Sequence, residues 1–411
     1  MKGIKNPNSI MNYSYAHSVL QSLSCLDCIN IFLNYTNTVN LKSSPNFALT
    51  NALYDLFSDL HSGKEGNSQN IICSFINSYN NNASIIKTNK VLSQDPFYFL
   101  YFLLQFLHME NNMPLNNNYN LQNLCSQNLQ NQQNDEYMFN LFKDFWNQTQ
   151  NSMISNYFFN IERNVYNCLN CKVYFSYGMK SIFTIKTDIA EFYRNSTNLS
   201  KCGTNIDLYD CLKSYCGGCK KNCKFCGNQN IGKYNKFIIP ACVLIISFER
   251  KKHTFKRDVD FNINININEY ISKSRTADFN INSNYILKAC ISYYQPGKYI
   301  ADCYLNNIGK WCRFMDNEVI MLNNVSEIYD YEPQILIYEL NQQNNNNNFN
   351  FNNHNNININ QITDPFKLMN NNNLNQLNNN NNLDNNQFNQ NIINAQNQNS
   401  NIFQSIFQFA N

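Results

Sequence analysis

The sequence predicts an α+β fold, and three observations predict it. Apolar residues recur at helical spacing as far as Met109. Short β-branched and aromatic runs replace them from Ile154 onward. A run from about Leu340 to Asn411, almost all Asn and Gln, carries neither pattern. Helices first and strands after is the α+β order, and the terminal run offers few apolar groups to offset the entropy of ordering. The expected organisation is therefore a folded domain over 1–340 and a disordered tail over 341–411.

The first helix is expected over Ser14 to Leu23, where Val19, Leu20 and Leu23 fall on one face and Ser14 stands as an N-cap. A second covers about Asn51 to Leu60 and a third about Pro96 to Met109. The most apolar stretch, Phe97 to Leu107, is too short for a bilayer, which needs ~20 residues, and reads as a buried helix. The polar run from Asn111 to Asn134 reads as a surface insertion. Strands are expected at Tyr157–Glu162, Val173–Tyr177, Ile182–Lys186, Lys236–Ile239 and Cys242–Phe248. Later ones are expected at Tyr285–Tyr293, Tyr299–Leu305, Glu318–Leu322 and Gln334–Leu340.

Composition removes several function classes. The 411 residues are 43% apolar, enough for a core, and the net charge is only +3 without a dense Lys/Arg stripe, so nucleic acid is not an expected partner. The polar stretch Met1 to Asn12 lacks the apolar segment of a secretory signal, and no membrane span is expected. An intracellular setting is expected, cytoplasm and nucleus being indistinguishable; there, 16 cysteines point to metal or free thiols rather than disulfides.

Two Cys-x-x-Cys pairs, Cys168/Cys171 and Cys223/Cys226, stand out. Each knuckle supplies two thiolates, and two knuckles complete a tetrahedral Cys₄ zinc site, which is structural because no position stays open for water. Cys216 and Cys219 leave two other readings open: a local site shared with Cys223/Cys226, or free thiols without metal.

A series of boxes then follows in a recognisable order. Gly3-Ile4-Lys5-Asn6, followed by Asn12 to Leu23, resembles the first box of the ubiquitin-specific proteases, GLxN then NTCYMNSxLQxL, with extra residues between its parts. Gln94 to Leu100, with Leu103, Leu104, Leu107 and His108, resembles QDAxEFLxxLLxxLH. Pro240 to Arg250 resembles LPxVLIIHLKRF, and Lys256, Val259, Phe261 and Tyr270 follow as KxxVxF does. Tyr285 to Ala289 opens the histidine box, which runs through Gly297-Lys298-Tyr299 and Trp311 to Asp316; Gln334 to Tyr338 resembles the closing YxLFY strand. The resemblance covers about residues 3–340. It implies a papain-like fold with a helical thumb, a palm, and zinc-bearing fingers, holding ubiquitin or a ubiquitin-like protein with its tail in a cleft between thumb and palm.

The same alignment puts other residues where the chemistry is needed. A thiol hydrolase requires a nucleophile, a base and a group that orients the base. The nucleophile position holds Ser14, a poorer nucleophile than a thiolate. The base position of the GHY triplet holds Lys298, and a protonated lysine accepts no proton. The orienting position keeps Asp316. The oxyanion position falls on Ser9, with Asn6 or Asn8 as substitutes, and Tyr98 replaces the acidic residue of the third-helix box. The expectation is an ion pair of Lys298 with Asp316 in a dead cleft, with Ser14 as an ordinary N-cap and His17, three residues on, not a base. The resulting reading is a pseudodeubiquitinase that binds ubiquitin or a ubiquitin-like protein. The competing readings are an active deubiquitinase, in its unusual form a Ser14–Lys298 dyad, and a scaffold that has lost ubiquitin binding.

Overall fold

A computed structural model of the chain describes residues 2–5, 12–38, 47–82, 94–112, 149–150, 152–168, 170–171, 174–189, 206–221, 226–227, 231–249, 259–271 and 283–341. The expected insertion (beyond Asn112) and the tail (beyond Asn341) lie outside these residues.

Among the described residues, six helices lie in the N-terminal half: α1 (Ser14–Ser24), α2 (Asp27–Thr38), α3 (Ala48–His61), α4 (Gln69–Asn81), α5 (Pro96–Asn111) and α6 (Met153–Phe158). Two short strands, β1 (Ile4–Lys5) and β2 (Gly66–Asn67), pair in parallel beside them. Helix α1 is buried along nearly its whole length, Ser and Gln positions included, because it lies between the sheet and α5. Helix α5 starts where Asp95 caps it, accepting from the Phe97 N–H at 2.7 Å, with Pro96 at the first helical position.

Helices α2 and α4 were not expected, since their Asn-rich sequences blur the apolar period. Helix α4 still buries Ile71, Ile72, Phe75 and Tyr79 on one face. The start of α2 is held from far away: the carboxylate of Glu339 accepts from the N–H groups of Asp27 and Cys28, both at 3.2 Å, satisfying helix-terminal donors.

From Asn160 the described residues are mostly β: β3 (Asn160–Cys168), β4 (Tyr174–Ile182), β5 (Thr184–Asp188), β6 (Ile206–Asp207), helix α7 (Leu208–Cys216), β7 (Gly217–Lys221), β8 (Ile231–Ile239) and β9 (Val243–Glu249). There follow β10 (Val259–Asp260), β11 (Asn264–Asn266), β12 (Asn284–Gln295), β13 (Lys298–Leu305), β14 (Lys310–Met315), β15 (Glu318–Met321) and β16 (Glu332–Leu340). The central sheet runs β15-β14-β13-β12-β16-β9-β5, with β11 also on β12; a separate four-stranded sheet runs β4-β3-β8-β7.

The central sheet is covered on both faces, which is why β9 reads as a continuous apolar run rather than an alternating one. Val243, Ile245, Ile335 and Ile337 face the helices α1–α6, and Leu244, Ile246, Leu336 and Tyr338 face a second core with α7 and β10–β11. A bulge between Leu287 and Ala289 re-phases β12, so Leu287 and Cys290 meet the second core while Ala289 and Ile291 meet the helices. Strand β14 and helix α7 are further elements that the sequence reading passed over.

Candidate active site and thiol cluster

Three loops and one helix start converge on the aligned catalytic positions. Ser14 begins α1. The β12–β13 hairpin turns through Pro296-Gly297, where Gly297 has φ +74° and supplies the left-handed position of a tight turn. Asp316 sits in the β14–β15 turn with φ 54°. The N-terminal arm lies against that turn: the Ile4 N–H donates to the Asp316 carbonyl at 3.0 Å, and the Gly66 N–H donates to the Gly3 carbonyl at 3.1 Å. A Cβ on Gly3 would stand 2.2 Å from the Asp316 carbonyl oxygen, so only glycine permits this approach.

Ser14 is closed in, at 3% exposure. Its hydroxyl donates to Asn12 Oδ1 at 2.8 Å, with the Gly297 carbonyl a second acceptor at 3.3 Å, and accepts from the Tyr299 N–H at 3.2 Å. Asn12 also donates from Nδ2 to the Gly297 carbonyl, and its Oδ1 accepts from the Ser14 N–H at 3.1 Å. Ser14 is therefore not the N-cap expected of it. It is the first helical residue, Tyr13 is the cap without a side-chain bond, and Asn12 satisfies the orphan donor. No titratable side chain among the described residues hydrogen-bonds to the Ser14 hydroxyl.

The expected Lys298–Asp316 ion pair is corrected. Lys298, first residue of β13, is exposed, and no carboxylate among the described residues lies within ion-pair distance of it. Asp316 Oδ1 instead meets His17 Nδ1 at 2.6 Å, and His17 Nε2 lies 2.8 Å from Ser68 Oγ. The reason is placement. His17 is one helical turn beyond Ser14 on the buried face of α1, at 2% exposure, and points to the β14–β15 turn; Lys298 leaves a tight hairpin toward solvent. Ser14 and Asn12 thus form one network with the β12–β13 hairpin, His17 and Asp316 another with Ser68, Lys298 joins neither, and the oxyanion candidates Asn6, Asn8 and Ser9 lie outside the described residues. Ser68 had no sequence signal: it follows a two-residue strand and precedes α4, and only the fold puts it under His17.

At the end of the four-stranded sheet, the Sγ atoms of Cys168, Cys171 and Cys226 all lie within 4.8 Å of one another, with Cys168 and Cys226 at 3.6 Å. Tetrahedral thiolates at ~2.3 Å from one zinc ion stand about 3.8 Å apart, so this donor set could hold a metal ion. Cys223 and the Cys219 side chain lie outside the described residues. Cys216 packs into the second core at the end of α7.

Helices α1–α6 on one face of the central sheet, a separate sheet ending in thiols, and a hairpin closing over a helix start match the thumb, palm and fingers that the sequence resemblance implies. The family model described as ubiquitin carboxyl-terminal hydrolase matches residues 3–338, and the chain belongs to that family. Among solved structures it is similar to a chain of the SAGA DUB module bound to monoubiquitin. The TM-score there is 0.56 and the identity 17%, over 83% of this chain and 69% of that one. A chain of the SAGA Ubp8/Sgf11/Sus1/Sgf73 DUB module bound to ubiquitin aldehyde matches with TM-score 0.55 and 17% identity, over 83% and 70%. A yeast SAGA DUB module matches at TM-score 0.55 and 17% identity, over 83% and 69%. At such identities the likeness is one of fold. No curated protein matches the chain. Among the described residues no single helix is long and apolar enough to cross a membrane.

Proposed function

We propose that this chain is a catalytically silent member of its family that binds ubiquitin or a ubiquitin-like protein. One observation carries the reading: the Ser14 hydroxyl is engaged by Asn12, Gly297 and Tyr299, with no base among its partners in the described residues. A serine needs a proton acceptor in contact to become a nucleophile, and the residue aligned with the base is an exposed lysine. The binding half of the proposal rests on family membership and on the preserved thumb, palm and fingers. The fingers carry a structural zinc held by Cys168, Cys171 and Cys226 with Cys223 as fourth ligand, which ties β3 to the β7–β8 turn. The thiol-rich composition suits an intracellular protein.

The test is to titrate the full chain with ubiquitin by calorimetry and to assay it with a ubiquitin C-terminal fluorogenic amide and a tail-reactive thiol probe. Saturable binding without hydrolysis or labelling is the expected result. Hydrolysis that Ser14→Ala or Lys298→Ala abolishes would instead establish an active serine–lysine enzyme. Absence of binding to ubiquitin and its relatives would leave a scaffold.

A further inference from the structure

Asp316 is the one aligned catalytic side chain that the sequence retains, yet its carboxylate is already engaged. Oδ1 holds His17 Nδ1 at 2.6 Å, the other ring nitrogen is 2.8 Å from Ser68 Oγ, and the Asp316 backbone is gripped by Ile4. The imidazole is 2% exposed and Ser68 0%, so this is a closed relay joining α1, the start of α4 and the β14–β15 turn. Its order, serine to histidine to aspartate, is that of a hydrolase triad, but a fully enclosed serine has no room for a substrate carbonyl.

We infer that His17 is a positioning residue that commits the Asp316 carboxylate to this relay and withholds it from the hairpin bearing Lys298. His17 is then the third change, beside Ser14 and Lys298, that keeps the cleft silent. The physical ground is competition. A carboxylate that shares a proton with one imidazole, in an orientation set by that imidazole, stabilises a second imidazolium less well. Asp316 is 34% exposed at its side chain, so its second oxygen can still be approached while the first stays with His17. The inference rests on the proposed silent reading.

The experiment compares two full-length variants, Ser14→Cys/Lys298→His and the same pair with His17→Leu, whose side chain fills the buried position and carries no hydrogen-bond donor for Asp316. With the fluorogenic ubiquitin amide, the triple variant is expected to exceed the double by on the order of tenfold or more. The gain should lie in kcat rather than KM, with an acidic limb in the pH profile from the imidazole introduced at position 298. A spectrum of ¹⁵N-histidine protein supplies a readout independent of turnover. A low-field Nδ1–H should be present in the wild type, absent from Asp316→Asn and His17→Leu, and unchanged in Lys298→Ala. A new low-field imidazole signal from position 298 should appear in the triple variant and not in the double. A double variant that shows both signals, or that turns over as fast as the triple, overturns the inference. So does labelling of wild-type Ser68 by a fluorophosphonate, which would make the relay a working site. Hydrolysis by the wild type would instead strike the silent reading and leave the two signals to decide about His17.

Discussion

Lowering the pH from 7 to 4.5 should destabilise this domain through one residue, His108. The ring is fully buried between Ser152 and Gln150 and lies edge-on to Phe159. Nε2 is 2.7 Å from Gln150 Oε1, an acceptor, so it carries the hydrogen; Nδ1, 2.6 Å from Ser152 Oγ, accepts the serine hydroxyl. Ser152 Oγ also accepts the Ser155 N–H at 3.0 Å, closing a network built for the neutral ring. Burial drives the His108 pKa down to about 4, against the opposing pull of Gln150. A base whose folded pKa lies below its unfolded value contributes stability that is present above the unfolded pKa and is lost as pH falls toward the folded one. Between ~6.5 and ~4 the unfolded chain binds the extra proton. At ~1.36 kcal/mol per pKa unit the loss reaches about 2.5 kcal/mol at pH 4.5. Buried carboxyls work the other way: burial raises Asp302 to about 6 and Glu339 to about 7, so each favours the folded state as pH falls. The measurement is therefore a double difference. Denaturant unfolding of wild type and His108→Gln is compared at both pH values, so that terms common to the two proteins cancel. The wild type should lose about 2.5 kcal/mol more than the variant; equal losses would refute the assignment of a neutral, proton-refusing His108.

Three further perturbations have equally definite outcomes. Arg313→Met removes the guanidinium that holds buried Asp302 at 2.8 and 3.0 Å, and should cost about 3–5 kcal/mol at pH 7 in urea unfolding. The cost should shrink at pH 5, where Asp302 takes a proton, and a pH-independent loss would contradict the uncompensated charge as its cause. Gly3→Ala forces a Cβ against the Asp316 carbonyl and should lower stability by more than about 2 kcal/mol; a neutral thermal shift would mean that the N-terminal arm is not seated on that turn. Elemental analysis should find roughly one zinc per chain in the wild type, and Cys168→Ser should remove it. Unchanged zinc content would show that the ligands lie elsewhere.

The fold class was legible because it depends on local periodicity. Helices α1, α3 and α5 and most strands of the central sheet announce themselves by apolar spacing, and the ordered boxes name the family. Thiol pairing was legible in part, since the Cys-x-x-Cys spacings are a property of the chain alone, and the structure brings Cys226, one of the four expected ligands, beside Cys168 and Cys171. Helix α2 was hidden because its stabilising group is Glu339, far along the sequence. The site was hidden for the same reason. The sequence resemblance put Ser14, Lys298 and Asp316 at the expected catalytic positions, and from charge alone Lys298 was the natural partner of Asp316. Tertiary structure decided otherwise: a hydrogen bond goes to the group whose backbone places it within 3 Å, and that group is His17, delivered by the buried face of α1. Residue types are written in the chain, whereas the choice among competing partners for one carboxylate is made by the directions in which packed helices and turns point their side chains.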